Sequence, residues 1–153
     1  LPNKIKIGVL PGSSNNSEKR WPVSNWITLI KETLRVSRIS KIALYGSEHE
    51  IDLSNLIVKD INDSGLVNKC GKTNFEQLCI ELSSCSVVVG NDSGGMHLAN
   101  CLGVPTLVIF GPTNPNATRP IYGTNMSLIR TDFKHSAAEL DKVMEALLRI
   151  LNS

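Results

Sequence analysis

Several features that would assign a protein to a special class are missing from this sequence. No apolar run approaches the roughly 18 residues of a membrane-spanning helix, and no signal-peptide pattern opens the chain. The formal net charge of +2 is too small to indicate a nucleic-acid or membrane partner. With 41% hydrophobic and 20% charged residues, the composition is that of an ordinary soluble globular protein.

The cysteines also exclude two classes of small protein. Cys70, Cys79, Cys85 and Cys101 form no Cys-x-x-Cys pair and have no metal-ligand spacing. Their neighbours are mostly apolar, which favours small core residues in a reducing compartment over disulfides.

The length of 153 residues corresponds to one domain, and no repeat, low-complexity tract or internal linker divides it. The first residue is Leu1 rather than Met, from which we expect a piece of a longer protein.

Strand-like apolar runs alternate with helix-like segments along the whole chain. The alternation predicts a doubly wound α/β domain with a parallel, Rossmann-like sheet. The expected strands are residues 5–10, 41–45, 66–70, 86–90, 106–110 and 126–129. Between and after them we expect helices over about 22–37, through Ile51, Leu53 and Leu56, from Asn74, through 94–102 and from Ser136. In the third helix the predicted buried stripe is Phe75, Leu78, Cys79 and Leu82.

Ligands of such sheets bind outside the carboxyl ends of the strands, where this chain places polar, glycine-rich segments. The first, residues 11–22, offers Ser13 and Ser14 and then Lys19 and Arg20. Small hydroxyl residues, free backbone amides and a lysine can cradle a phosphate. A solvated loop explains the same residues, and the Walker ending is missing.

The second segment, residues 90–97, carries the stronger signal. Asp92 or Ser93 can cap the helix that follows, and Gly94 and Gly95 stand in its first turn. Each glycine costs about 1 kcal/mol relative to alanine there, and close approach of an anion to the helix start would explain both. His97 would lie near that anion. The alternative is tight helix–strand packing; we favour binding.

Two further segments leave the choice open. Residues 110–120 contain three prolines and form either a rigid wall of a pocket or only a loop that connects a strand to a helix. Glu50, after the second strand, either holds ribose hydroxyls or completes a capping box with Ser47.

Taken in order, these segments resemble the C-terminal domain of glycosyltransferase family 9, the bacterial heptosyltransferases of lipopolysaccharide core assembly. The resemblance covers nearly the whole chain. Its most specific part is Asp-Ser-Gly-x-Met-His at 92–97 followed by Phe-Gly-Pro-Thr at 110–113. The other matching segments are 11–14, 19–22, 46–50, 71–73, 98–99 and 103–106.

The resemblance implies a GT-B enzyme that needs no metal or other cofactor and transfers heptose with inversion from an ADP-sugar to a lipid-linked saccharide of the lipopolysaccharide core. It also implies a location in the cytoplasm, with the full enzyme bound peripherally to the inner membrane. Ser13, Ser14 and Lys19 would contact the diphosphate, Glu50 the ribose and Thr73 the adenine region. Asp92, Ser93, Gly94 and His97 would surround the phosphates and sugar, and Gly95 stands in the same segment. The catalytic base would lie in an N-terminal acceptor domain that this sequence lacks, so the chain alone should not catalyse transfer.

A different class of function remains as an alternative, namely a stand-alone nucleotide-binding module without chemistry of its own. A dehydrogenase-like dinucleotide binder is set aside, because no Gly-x-Gly-x-x-Gly follows the first strand.

Overall fold

The structure, a computed structural model, describes residues 4–12, 20–111, 125–132 and 137–153. Six strands form one parallel sheet: β1 (Ile5–Leu10), β2 (Ile39–Leu44), β3 (Leu66–Asn68), β4 (Val87–Asn91), β5 (Thr106–Phe110) and β6 (Met126–Arg130). Five helices flank it: α1 (Val23–Leu34), α2 (Ile51–Ile61), α3 (Phe75–Ser83), α4 (Gly94–Cys101) and α5 (Ala137–Leu151).

The strand order is β3-β2-β1-β4-β5-β6, which confirms the predicted doubly wound sheet. After β1 the chain builds outward to one edge, and from β4 it builds outward to the other. The connections leaving β1 and β4 therefore diverge, and a crevice opens between them at the carboxyl ends of the strands. This crevice is the position where open parallel sheets bind ligands.

Helices cover both faces of the sheet, which is why its central strands are almost wholly apolar. Every residue of β4 and β5 is buried, as expected for strands covered on both sides. On one face α1, α2 and α5 pack through Trp26, Ile57 and Leu147. On the other face α3 and α4 pack through Leu82 and Met96. No helix in the described ranges is long and apolar enough to cross a membrane.

The predicted buried stripe of α3 is wrong at its first residue. Phe75 is 72% exposed, whereas Leu82 at the other end of the helix is fully buried. The N-cap was predicted correctly: Asn74 Oδ1 accepts the backbone N–H of Gln77, and Gln77 Oε1 accepts that of Asn74. Because Phe75 in the first turn is exposed while Leu82 is buried, the first turn of α3 lies outside the packed core. Apolar spacing in that turn therefore does not predict burial.

The predicted helix through Ile51, Leu53 and Leu56 is present as α2, and Leu53 and Ile57 supply its buried face. The cysteine prediction needs correction. All four cysteines are free, as predicted, but only Cys70 and Cys85 are buried. Burial raises the pKa of both buried thiols, which therefore stay protonated and behave as small apolar core groups.

A polar cluster fastens α3 to the sheet. The Tyr45 hydroxyl donates to Glu81 Oε1 over 2.7 Å, and Lys6 Nζ lies 3.3 Å from the same oxygen. Burial raises the pKa of the Tyr45 phenol far above its usual range, so it remains a hydrogen-bond donor. The hydrogen bond from Tyr45, helped by Lys6, lowers the pKa of Glu81.

We expect this cluster to make stability depend on pH. Because the folded-state pKa of Glu81 is lowered, its contribution is present above the unfolded pKa of about 4.3 and is lost as the pH falls through the folded value. Glu81→Gln should lower the free energy of unfolding by about 1 kcal/mol at pH 7 and flatten its decline in acid. Urea unfolding at pH 7 and in mild acid measures both effects. Glu145→Gln, in an exposed pair with Arg149, is the control and should change little. If the free energy of unfolding falls equally in acid for Glu81→Gln and the unmodified chain, Glu81 is not the source of the pH dependence.

Candidate functional site

A cavity of about 280 Å³ opens at the carboxyl edge of the sheet, where β1, β2 and β4 end. It brings five of the residues predicted to bind substrate into one wall. These are Glu50, Thr73, Ser93, Gly94 and Gly95. The rest of the lining comes from the ends of β1 and β2 and from the start of α3, namely Leu10, Gly12, Gly46, Ser47, Asn74, Phe75 and Leu78.

The N-terminus of α4 supplies donors for an anion at this cavity. Ser93 is the N-cap residue, and its carbonyl accepts the N–H groups of Met96 and His97, each over 3.2 Å. The N–H groups of Gly94 and Gly95 have no acceptor among the described residues. Unpaired N–H groups at the positive end of a helix dipole attract negative charge.

The two glycines differ in what surrounds them. Among the described residues, a Cβ added at Gly94 would meet no heavy atom within 4 Å, whereas one added at Gly95 would lie 2.1 Å from Cδ2 of Leu10. Close packing therefore explains Gly95, and it does not explain Gly94. The open space at Gly94 faces the cavity that both residues line.

Buried polar atoms without partners accompany these N–H groups. Within the described ranges, neither Asp92 Oδ1 nor the Ser93 hydroxyl has a hydrogen-bond partner. His97 Nε2 lies 3.3 Å from Asp92 Oδ1, close enough for an ion pair when the imidazole is protonated, although no well-formed hydrogen bond joins them. These polar atoms are therefore available to hydrogen-bond a ligand at the cavity.

Glu50 lies deep in the cavity wall and is only 9% exposed. Its Oε1 accepts the backbone N–H and the hydroxyl of Ser47, both over 3.2 Å, so the predicted capping box is present. A Cβ at Gly12 would lie 1.2 Å from Oε2, which leaves no room there for a side chain. Within the described residues Oε2 accepts no hydrogen bond. The capping box therefore uses one oxygen and leaves the other for a ligand.

Other predicted residues fall outside this cavity or outside the described ranges. Asp92 and His97 adjoin the lining without being part of it. Ser13, Ser14 and Lys19 lie outside the described residues, as does most of the 110–120 segment, from 112 onward.

Sequence reasoning missed two residues of this region. Phe75 lies at the cavity although its helical position predicted burial in the core. Asn91 is fully buried behind the cavity and hydrogen-bonds to Pro11 and Trp21, partners too distant in sequence to be paired from the sequence alone.

The described residues contain no group of three or more His, Cys, Asp and Glu side chains that could hold a metal ion.

Comparison with known proteins places this arrangement in a family. The model of glycosyltransferase family 9 (heptosyltransferase) matches residues 2–146. Lipooligosaccharide heptosyltransferase 2 of Campylobacter jejuni serotype O:6 is 34% identical over 136 residues, which cover 86% of this chain and 42% of that protein. Lipopolysaccharide heptosyltransferase 2 of Salmonella typhimurium is 32% identical over 118 residues, covering 75% and 33%.

Solved structures agree with these relatives. The ADP-heptose lipopolysaccharide heptosyltransferase II of E. coli superposes with a TM-score of 0.87 at 26% identity, over 98% of this chain and 47% of that one. The E. coli heptosyltransferase WaaC, solved with ADP, has a TM-score of 0.81 at 24% identity, over 97% and 45%, and supports the fold. This chain thus spans less than half the length of these proteins. Because the family model covers nearly all of its residues, the chain belongs to glycosyltransferase family 9, the heptosyltransferase family.

Proposed function

We propose that this chain is the donor-binding domain of an inverting glycosyltransferase that moves heptose from an ADP-sugar to a lipopolysaccharide core acceptor. The matched relatives are heptosyltransferases of lipopolysaccharide or lipooligosaccharide, and one structural neighbour is named for ADP-heptose. Because the chain spans less than half of each, the acceptor site and the catalytic base are assigned to a second domain. The same proposal includes peripheral association of the full enzyme with the cytoplasmic face of the inner membrane.

The observation that carries the proposal is the N-terminus of α4. The N–H groups of Gly94 and Gly95, which have no acceptor in the part of the chain that the structure describes, lie at the edge of the cavity. A diphosphate fits this chemistry, because its oxygens accept backbone N–H bonds and its charge is stabilised by the helix dipole. The unsatisfied Ser93 hydroxyl can donate to the same group.

The remainder of the cavity suits a nucleoside. Glu50 Oε2 accepts no hydrogen bond from the described residues and can take that of a ribose hydroxyl. Thr73 and Phe75 supply a polar and an aromatic surface for the adenine. An exposed phenylalanine at a cavity is a natural stacking surface for a planar base.

In the proposed reaction, the acceptor hydroxyl attacks the anomeric carbon of the heptose while the bond from that carbon to the diphosphate oxygen breaks. The hydroxyl proton passes to a base outside this chain. Negative charge grows on the departing diphosphate, and the N–H groups of Gly94 and Gly95 stabilise it without reorganising. His97, when protonated, adds positive charge one turn along α4. The contribution of this domain is therefore to bind the donor and stabilise the leaving group.

We expect the chain to bind ADP weakly, to prefer ADP to UDP and to show no transferase turnover. Binding should be unchanged in EDTA, because backbone dipoles rather than a divalent ion meet the phosphate charge. Calorimetric titration with ADP and with UDP, each with EDTA and with Mg²⁺, measures this. No heat with ADP, a clear preference for UDP or a strict Mg²⁺ requirement would overturn the assignment.

A further inference from the structure

Asn91, the last residue of β4, joins three segments of the chain through one buried amide. Its Nδ2 donates to the carbonyl of Pro11 over 2.7 Å, and its Oδ1 accepts the backbone N–H of Trp21 over 2.9 Å. The side chain is 0% exposed. Both ends of the amide are used, so its orientation is fixed and no smaller or apolar side chain can replace both bonds.

The two partners mark where the chain leaves β1 and where it enters α1. Pro11 follows β1 directly, and Trp21 precedes Pro22, the N-cap residue of α1. Trp21 is itself held firmly: its Nε1 donates to Glu139 Oε1 over 2.6 Å, and its ring meets that of Trp26 edge-on at 5.0 Å. Asn91 therefore connects β4 to a rigid point at the start of α1 as well as to the end of β1.

The strands beside Asn91 pack so closely that a shift of Asn91 would also move the end of β1. A Cβ at the preceding Gly90 would lie 2.6 Å from the carbonyl oxygen of Leu10, so the backbones of β1 and β4 touch there. Asn91 lines no part of the cavity at the carboxyl edge of the sheet, called the donor cavity from here on. Gly12 on one side of Asn91 and Ser93 on the other do line it. The amide thus acts on the cavity through its neighbours and not by touching a ligand.

We propose that Asn91 is a positioning residue for donor binding. Its amide holds the end of β1, with Gly12, at a fixed separation from the N-terminus of α4, so that a diphosphate meets both at once. The inference rests on the proposed function, because it takes the nucleotide diphosphate as the ligand. Loss of the amide leaves the Pro11 carbonyl and the Trp21 N–H buried without partners, and the separation is then no longer imposed.

The test compares Asn91→Leu with Leu147→Ala in the 153-residue chain. Leucine has the same number and branching of side-chain heavy atoms as asparagine, although it is bulkier, adds no charge and removes both hydrogen bonds. Leu147 is a buried residue of α5 on the core face, and its truncation lowers stability without touching the cavity. ADP affinity is measured by calorimetry at a temperature where melting curves show each variant folded. Hydrogen exchange of the Trp21 backbone amide, measured without ligand, reports whether its hydrogen bond to Asn91 Oδ1 is intact.

We expect Asn91→Leu to raise the Kd for ADP at least fivefold and to speed exchange at Trp21 beyond the rate in Leu147→Ala, which should keep its Kd within twofold. If Asn91→Leu does not fold, Asn91→Ser, which keeps one polar group, is measured in the same way. Normal affinity in the Asn91 variant, an equal loss in Leu147→Ala or unchanged exchange at Trp21 would overturn the positioning role and leave the proposed function intact. Absence of ADP binding by the unmodified chain would overturn both.

Discussion

Gly94→Val is expected to weaken ADP binding at least tenfold, about 1.4 kcal/mol, while leaving the melting temperature unchanged or slightly higher. A Cβ at Gly94 meets no heavy atom of the described residues within 4 Å, so we expect the fold to accept it. Valine also has a better helix propensity than glycine, by a few tenths of a kcal/mol. The same side chain would fill the space through which phosphate oxygens reach the free N–H groups at the start of α4.

The neighbouring glycine is the matched control. In Gly95→Ala the new Cβ would lie 2.1 Å from Cδ2 of Leu10, so this buried side chain, which also lines the cavity, would have to shift. We expect a loss of about 1 kcal/mol in stability, or about 2–4 °C in melting temperature. Thermal melting and ADP titration on both variants separate the two roles. A Gly94→Val protein that melts early but binds ADP normally would show that the phosphate assignment is wrong.

The fold was largely predictable because its signals are local. Strands β1 and β5 have the predicted bounds, since each is a mostly apolar run followed by proline or glycine. Strand β4 lies one residue later than expected and ends on Asn91. That residue is polar, and its burial depends on Pro11 and Trp21, which are 80 and 70 positions away in the sequence. No sequence window contains those partners.

The location of the candidate site was predictable from the sequence, but the separate roles of its residues were not. Glycines after a buried strand indicated either anion binding or close packing, and the sequence offered no way to separate Gly94 from Gly95. The distance to Leu10 across the helix–strand contact separates them. Glu50 is a similar case: the structure shows the capping box on Oε1, and the ribose role of the other oxygen stays a prediction.

Phe75 shows where periodicity fails. Apolar spacing along α3 predicted a buried stripe, and it holds for Leu82 at the end of the helix that packs on the sheet. The first turn projects past the sheet, so the same pattern there places an aromatic ring at the cavity, 72% exposed. Single exposed apolar side chains are common on protein surfaces, so exposure alone assigns Phe75 no role. Its position in the cavity lining is what suggests a contact with the base.

Phe75→Ala is accordingly expected to reduce ADP affinity about tenfold with little change in melting temperature. Stacking of a base on an aromatic side chain contributes about 1–3 kcal/mol when measured by alanine substitution. Because the ring is mostly exposed, its removal deletes few contacts within the protein. Ile80→Ala is the matched control, since Ile80 lies on the same helix, is 65% exposed and does not line the donor cavity.

Inorganic pyrophosphate separates the base contact from the phosphate contact. Phe75→Ala should bind pyrophosphate as the unmodified chain does, because the ring is assigned to the adenine alone. Gly94→Val should lose affinity for pyrophosphate and ADP alike, since both present a diphosphate to the start of α4. Calorimetric competition between the two ligands on both variants measures this. If Phe75→Ala loses pyrophosphate binding as well, the ring is not a contact of the base alone. If Ile80→Ala loses as much ADP affinity as Phe75→Ala, the loss is not specific to Phe75, and either result would show that Phe75 does not stack on the base.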